Sequence, residues 1–232
     1  MAVFDTPPPG HSFGVGPEDT NTGTNAGMWV SLKNARGAYV IISFGDVVGG
    51  TTAITLDQAL DNSGTGSKTL GFTKYYQGGQ RLYFDGRSTT NFLVGDTVTG
   101  ASSGNTAYVA EVSSDHLVIT PITGSTTWTD NETLTGTGGA TATANGTGTD
   151  EDIWVERTAS SDTFTAIAVT WTKYCIPVDE TMLDAANDFD WFQVDLAQTG
   201  SGSTLGMAEY IFYGETPRMY PGISHVDAEK TV

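Results

Sequence analysis

Ala38-Tyr39-Val40-Ile41-Ile42-Ser43-Phe44 is the stretch on which the fold turns. It is nearly all apolar and rich in β-branched residues, and Lys33-Asn34-Ala35-Arg36-Gly37 supplies a turn before it. Such a run reads as a buried central strand. Upstream, Met28-Trp29-Val30-Ser31-Leu32 partly alternates apolar with polar residues. Downstream, Ile54-Thr55-Leu56-Asp57-Gln58-Ala59 alternates cleanly and runs into Asp61-Asn62-Ser63-Gly64-Thr65-Gly66, so it predicts a strand followed by a loop.

The same rhythm continues through two further strands, Leu70-Gly71-Phe72-Thr73-Lys74-Tyr75-Tyr76 and Arg81-Leu82-Tyr83-Phe84. Past residue 150, strands are expected at 153–156, 163–171, 173–178, 191–196 and 206–213. The single convincing helix is a short one at 179–186, where Asp179 can cap and acids lie near the positive end. Gly, Thr and Ser are abundant, and hydrophobic residues make up 38% of the chain, a mixture that favours strands and turns.

An internal repeat interrupts the rhythm. Phe92-Leu93-Val94-Gly95-Asp96-Thr97-Val98-Thr99-Gly100 is matched by Trp128-Thr129-Asp130-Asn131-Glu132-Thr133-Leu134-Thr135-Gly136, at an offset of 132 − 96 = 36 residues. Each copy is followed by a Gly-containing turn and an alternating run, Thr106-Ala107-Tyr108-Val109 and Thr141-Ala142-Thr143-Ala144. Two copies are too few for a solenoid. The expected structure is a small pseudo-symmetric β module in which the leading aromatics share a centre, with a hairpin around Ser113-Ser114-Asp115. Its own apolar set is Phe92, Val94, Val98, Tyr108, Leu117, Ile119, Trp128 and Leu134.

The fold expectation is therefore all-β: a β-sandwich core with an inserted small β module built from an internal repeat. By domain, residues 1–27 form a flexible N-terminal arm, 28–89 and 150–223 a discontinuous sandwich, 90–149 the insert and 224–232 a loose tail. The arm assignment rests on Pro7-Pro8-Pro9-Gly10, Gly14, Gly16, Pro17 and the polar run to Gly23.

Acids outnumber bases 27 to 10, for a formal charge of −17. That field repels phosphate backbones and excludes nucleic acid as a natural partner, while suiting a basic patch on a larger assembly. No apolar run reaches the roughly 20 residues of a membrane span, and the N-terminal stretch lacks the features of a signal peptide. The chain is expected to be made in the cytoplasm, without a membrane anchor.

Motifs that could carry chemistry point mostly to structure. Gly100-Ala101-Ser102-Ser103-Gly104 matches the nucleophile-elbow pattern, but no helix follows it. His11, His116 and His225 lie in the arm, a hairpin and the tail. Cys175 sits in a strand-like stretch and reads as a small buried side chain, with no second cysteine for a disulfide. Asp150-Glu151-Asp152 and the pair Asp188 and Asp190 could offer oxygens to Ca²⁺ or a glycosidase pair, yet acids in Gly/Thr loops ordinarily face water. Asn131 and Asn145 begin glycosylation sequons that mean little without secretion. Trp29, Trp154, Trp171 and Trp191 fall inside strand patterns and read as core. The expectation is no catalytic residue, no metal and no cofactor.

Outside the insert, Trp29-Val30-Ser31-Leu32-Lys33-Asn34 with Tyr39-Val40-Ile41-Ile42-Ser43-Phe44-Gly45, then Ile54-Thr55-Leu56-Asp57-Gln58-Ala59 with Asp61-Asn62-Ser63-Gly64-Thr65-Gly66-Ser67-Lys68, resemble small head-decoration proteins of tailed bacteriophages encoded near the major capsid gene. Phe189-Asp190-Trp191-Phe192-Gln193-Val194-Asp195 and Tyr213-Gly214-Glu215-Thr216-Pro217-Arg218-Met219 extend the resemblance, which covers about 28–89 and 150–220. It implies a β-sandwich and a structural role on the capsid exterior of the virion, after synthesis in the host bacterium. The implied partners are the major capsid protein and copies of the chain itself. It supplies no site residue. A tail-tube, head-tail connector or fibre protein, and a carbohydrate-binding β module, are the alternatives.

Overall fold

The computed structural model describes residues 11–19, 24–33, 35–47, 50–160, 162–166, 172–199 and 204–214. The fold is all-β, with two sheets of 11 and six strands. Ala38, Val40, Ile42 and Phe44, on one face of β4 (Gly37–Val47), are buried against Ile54 and Leu56 of β5 (Thr51–Ala59). They share a single hydrophobic cluster with Phe192, Val194 and Leu196 of β16 (Trp191–Thr199). This is the sandwich that the alternation in β5 and the apolar run in β4 lead one to expect.

In the smaller sheet, β14 (Thr163–Ala166), β5, β16 and β2 (Thr24–Ala26) run in that order, with β6 (Lys68–Thr69) on β5 and β3 (Val30–Ser31) on β16. The larger sheet begins β1 (His11–Asp19), β17 (Thr204–Tyr213), β4, β15 (Lys173–Asp179), β7 (Lys74–Asp85). β13 (Thr149–Thr158) pairs with the other side of β7.

Within the stretch read as an arm, residues 11–19 and 24–26 are therefore strands. Val15 is buried in the sandwich core, and an added Cβ at Gly14 would lie 2.9 Å from the Tyr210 ring. The open edge of β17 offers backbone partners that a composition average over 27 residues hides. Pro17 and two register shifts sit on this outermost strand, where a missing N–H costs no ladder bond. Residues 1–10 and the expected tail at 224–232 lie outside the described residues.

β7 departs most from expectation. The two predicted strands around Gly78-Gly79 are one 12-residue strand. Its first half faces the sandwich with Tyr75 and Gln77, whereas Leu82 and Phe84, on the opposite face, enter a second core. Side chains alternate strictly along a strand, so the sheet itself must curl away from the sandwich to use both faces. The curl occurs at the glycines: an added Cβ on Gly79 would meet the Ile119 carbonyl at 3.2 Å and Val155 Cγ2 at 3.2 Å. Opposite them, β13 shifts register between Asp150 and Ile153.

Beyond the curl the ladder closes on itself. β7 pairs with β10 (His116–Thr123), then come β9 (Thr106–Val112), β8 (Thr97–Gly100), β11 (Thr133–Gly136) and β12 (Thr141–Ala144), which returns to β7. The insert is thus five strands of a small barrel whose sixth belongs to β7. Its interior holds Leu82, Phe84, Phe92, Val98, Val109, Leu117, Ile119, Trp128 and Leu134. Of the set expected there, Val94 is 64% exposed and Tyr108 is only half-buried.

The helix expected at 179–186 is instead two 3-10 turns, Glu180–Met182 and Ala185–Asn187. Asp179 does cap the first, accepting from the Thr181 N–H at 2.9 Å.

Candidate functional site

The repeat places its acids first. β8 and β11 pair as Leu134 with Gly100, Thr135 with Thr99 and Gly136 with Val98, so the 36-residue offset becomes a local two-fold axis through Thr99 and Thr135. Hydrogen bonds repeat across it. Ala101 N–H donates to the Thr133 carbonyl as Thr137 N–H does to Thr97, and Gly95 N–H donates to Val109 as Asn131 N–H does to Ala144. Gly104 and Gly139 hold the equivalent left-handed turn positions, at φ 68° and 83°.

Asp96 and Glu132 each reach across this axis. Glu132, buried, accepts from the N–H groups of Ser102 and Ser103 at 2.9 Å, from Ser103 Oγ, and from its own Thr129 N–H at 2.8 Å. Asp96 accepts from the Leu93 N–H at 2.9 Å and from Thr137 Oγ1 at 3.1 Å. Burial alone would raise the Glu132 pKa, but the donors from Ser103, Thr129 and Ser102 outweigh it and hold the carboxyl below its ordinary value. The Gly100-to-Gly104 serines are therefore turn residues clamped by a carboxylate, with Ser103 as donor.

The other sequence candidates stay apart. His116 Nδ1 lies 2.8 Å from the neighbouring Asp115 carboxylate, while the His11 side chain and His225 are outside the described residues. Asp150 to Asp152 open β13, with side chains outside the described set. Asp188 closes the second 3-10 turn at φ 62°, and the Asp190 carbonyl accepts from Leu32 N–H. Asn131 and Asn145 lie at barrel turns, where Asn131 donates to Asp130 and Asn145 to Asp85. Among the described residues no three His, Cys, Asp or Glu side chains are grouped to hold a metal ion.

Two features went unread in the sequence. On the outer face of the small sheet, Asp57 of β5 and Asp195 of β16 share a hydrogen bond, and Asp195 is pushed up to about 6 by burial first and the Asp57 charge second. Only the register of β5 against β16 brings these acids together.

The second is a groove of about 440 Å³ on the outer face of the large sheet, lined by Tyr39, Ile41, Tyr76, Trp154, Cys175, Pro177 and Ile211. Tyr39, Trp154 and Ile211 are 43%, 40% and 40% exposed. The apolar run in β4 reads as buried on both sides, but the small sheet covers only one. The outward residues Tyr39 and Ile41 make the groove instead. Trp154 is thereby a surface residue and not core, and Trp171 lies outside the described residues. Tyr213 tilts against Tyr39 with ring centroids 4.9 Å apart. Tyr76 donates to Glu156, which also pairs with Lys74 at 2.8 Å, so the rim is polar. Cys175 at the floor is a neutral thiol, pushed up to about 11 by burial.

No family model, no curated protein and no solved structure matches this chain.

Proposed function

We propose that the chain is a non-enzymatic structural protein of a tailed-bacteriophage virion, decorating or cementing the outer capsid surface. Its partners are the major capsid protein and further copies of itself, and its place of synthesis is the host cytoplasm. The observation that carries this reading is how the chain deploys its polar groups. Glu132 and Ser103 lock the two repeat copies together, Asp179 caps a turn, and Cys175 is held neutral. The chain as a whole carries −17 on a scaffold with two cores. Such a charge recognises a partner by long-range field, and a capsid exterior with basic patches is its complement. The resemblance of the strands around Trp29, Tyr39, Ile54 and Trp191 to head-decoration proteins supports the same reading.

A carbohydrate-binding module is the second reading, favoured by exposed Tyr39 and Trp154. A sugar hydrolase would set such aromatics beside its paired carboxylates. Here the groove and the Asp57–Asp195 pair occupy outer faces of different sheets, on opposite sides of the sandwich core. No helix among the described residues is long and apolar enough to cross a membrane.

The test is co-sedimentation of purified protein with empty capsids across a salt series. Raising salt from physiological to molar shortens the screening length from about 8 to about 3 Å, so affinity should fall about tenfold or more. Absence of capsid binding, together with capture on a glycan array, would replace the virion reading by the carbohydrate one.

A further inference from the structure

An aromatic groove with a proline on its wall and a polar rim has the chemistry that receives polyproline-II segments, whose preformed helix loses little entropy on docking. This chain carries such a segment, Pro7-Pro8-Pro9, immediately before β1. The register shows where that segment must emerge. His11 pairs with Ile211, Ile211 pairs in turn with Tyr39, and both Ile211 and Tyr39 line the groove. We propose that Pro7-Pro8-Pro9 occupies the groove of its own chain, over Ile211, Tyr39 and Pro177.

Reach and polarity agree with this. Adjacent strands are about 4.8 Å apart, so Tyr39 on β4 lies about 10 Å and Trp154 on β13 about 24 Å across the sheet from β1. At about 3.1 Å per residue, the four steps from His11 back to Pro7 reach about 12 Å, enough for the first distance, and the ten residues before His11 span the second. The groove wall is apolar while the chain carries −17, so an uncharged proline run suits it better than any of the chain's acidic stretches. Occupation also explains how an aromatic sheet face is kept from pairing with other copies. The inference does not depend on the virion reading and holds or fails separately from it.

Cys175 makes the test direct, because the only thiol in the chain lies at the groove floor. Iodoacetamide alkylation is followed by mass spectrometry at pH 9 in the full chain and in the triple variant Pro7→Ser, Pro8→Ser, Pro9→Ser. Superimposable circular-dichroism spectra and a cooperative urea transition in both confirm an intact fold. The variant should alkylate at least about fivefold faster, and a millimolar peptide of residues 2–10 should restore protection. Equal rates would overturn the proposal, as would faster alkylation that the peptide does not reverse. Protection that grows with protein concentration would assign the segment to another copy and overturn the same-chain assignment.

Discussion

Replacing Glu132 by Ala tests whether the repeat is held by carboxylates that reach across its two-fold axis. The substitution strands the N–H groups of Ser102, Ser103 and Thr129 and the Ser103 hydroxyl, all donating to one buried carboxylate. Hydrogen bonds to a charged acceptor contribute about 1.5–3 kcal/mol each, but Ser102 and Thr129 are exposed enough for water to take over in part. The expected loss is therefore about 3–4 kcal/mol, not the full sum. Asp96→Ala removes two bonds at a less buried site, Leu93 N–H and Thr137 Oγ1, and should cost only about 1 kcal/mol. Urea denaturation gives the totals. Hydrogen exchange of peptides covering Thr97–Gly100 and Thr133–Gly136 shows whether the loss is confined to the barrel. Glu132 has a folded pKa below its ordinary value, so its contribution is present above the unfolded pKa of about 4.3 and lost as pH falls through the folded one. Glu132→Gln should flatten that acid limb. A loss under about 1 kcal/mol for Glu132→Ala, or equal losses at Asp96 and Glu132, would refute the reasoning.

Asp195 has the opposite sign. Its folded pKa of about 6 exceeds the unfolded value of about 3.9, so its contribution to stability is fully present below pH 4 and is lost as pH rises through 6. Asp195→Asn should raise stability at pH 7.5 by about 1 kcal/mol, since half-exposure screens much of the shift, and should leave pH 4 stability unchanged. No gain at pH 7.5 in thermal melts would show that neither the burial of Asp195 nor the Asp57 charge beside it is felt. For the insert, Arg81 pairs directly with Thr149. Replacing residues 82–148 by Asn-Gly should thus close β7 and β13 with a two-residue hairpin and leave the sandwich unfolding cooperatively. Joining Ser88 to Asp150 instead leaves Leu82 and Phe84 without their barrel partners and should aggregate. If both deletions behave alike in calorimetry and light scattering, the two cores do not divide at the Gly78-Gly79 curl.

Where periodicity was local, the sequence was a good guide. Strand β5 alternates and is buried on alternate residues, and the Phe92/Trp128 repeat yields a shared core with both aromatics inside. The failures share one cause: a strand's two faces answer to different neighbours, and neighbours come from register. Gly78-Gly79 carry the turn signal of a hairpin, yet here they mark the point where one strand changes cores. Ile41 is as apolar as Ile42 and Tyr39 carries a large ring, and nothing in the run itself says that Val40 and Ile42 are covered while Tyr39 is 43% exposed. Asp57 and Asp195 are 138 residues apart in the chain (195 − 57) and meet only through the pairing of β5 with β16. The strand at 11–19 hides among prolines and glycines because its stability comes from the open edge of β17, not from its own composition.

Cryo-electron microscopy of the parent virion tests the proposed place on the outside of a phage head. Density on the capsid exterior should fit the sandwich and its barrel, with acidic side chains of this chain against basic residues of the major capsid protein. Finding the chain only in isolated tails, or in no part of the particle, would contradict it.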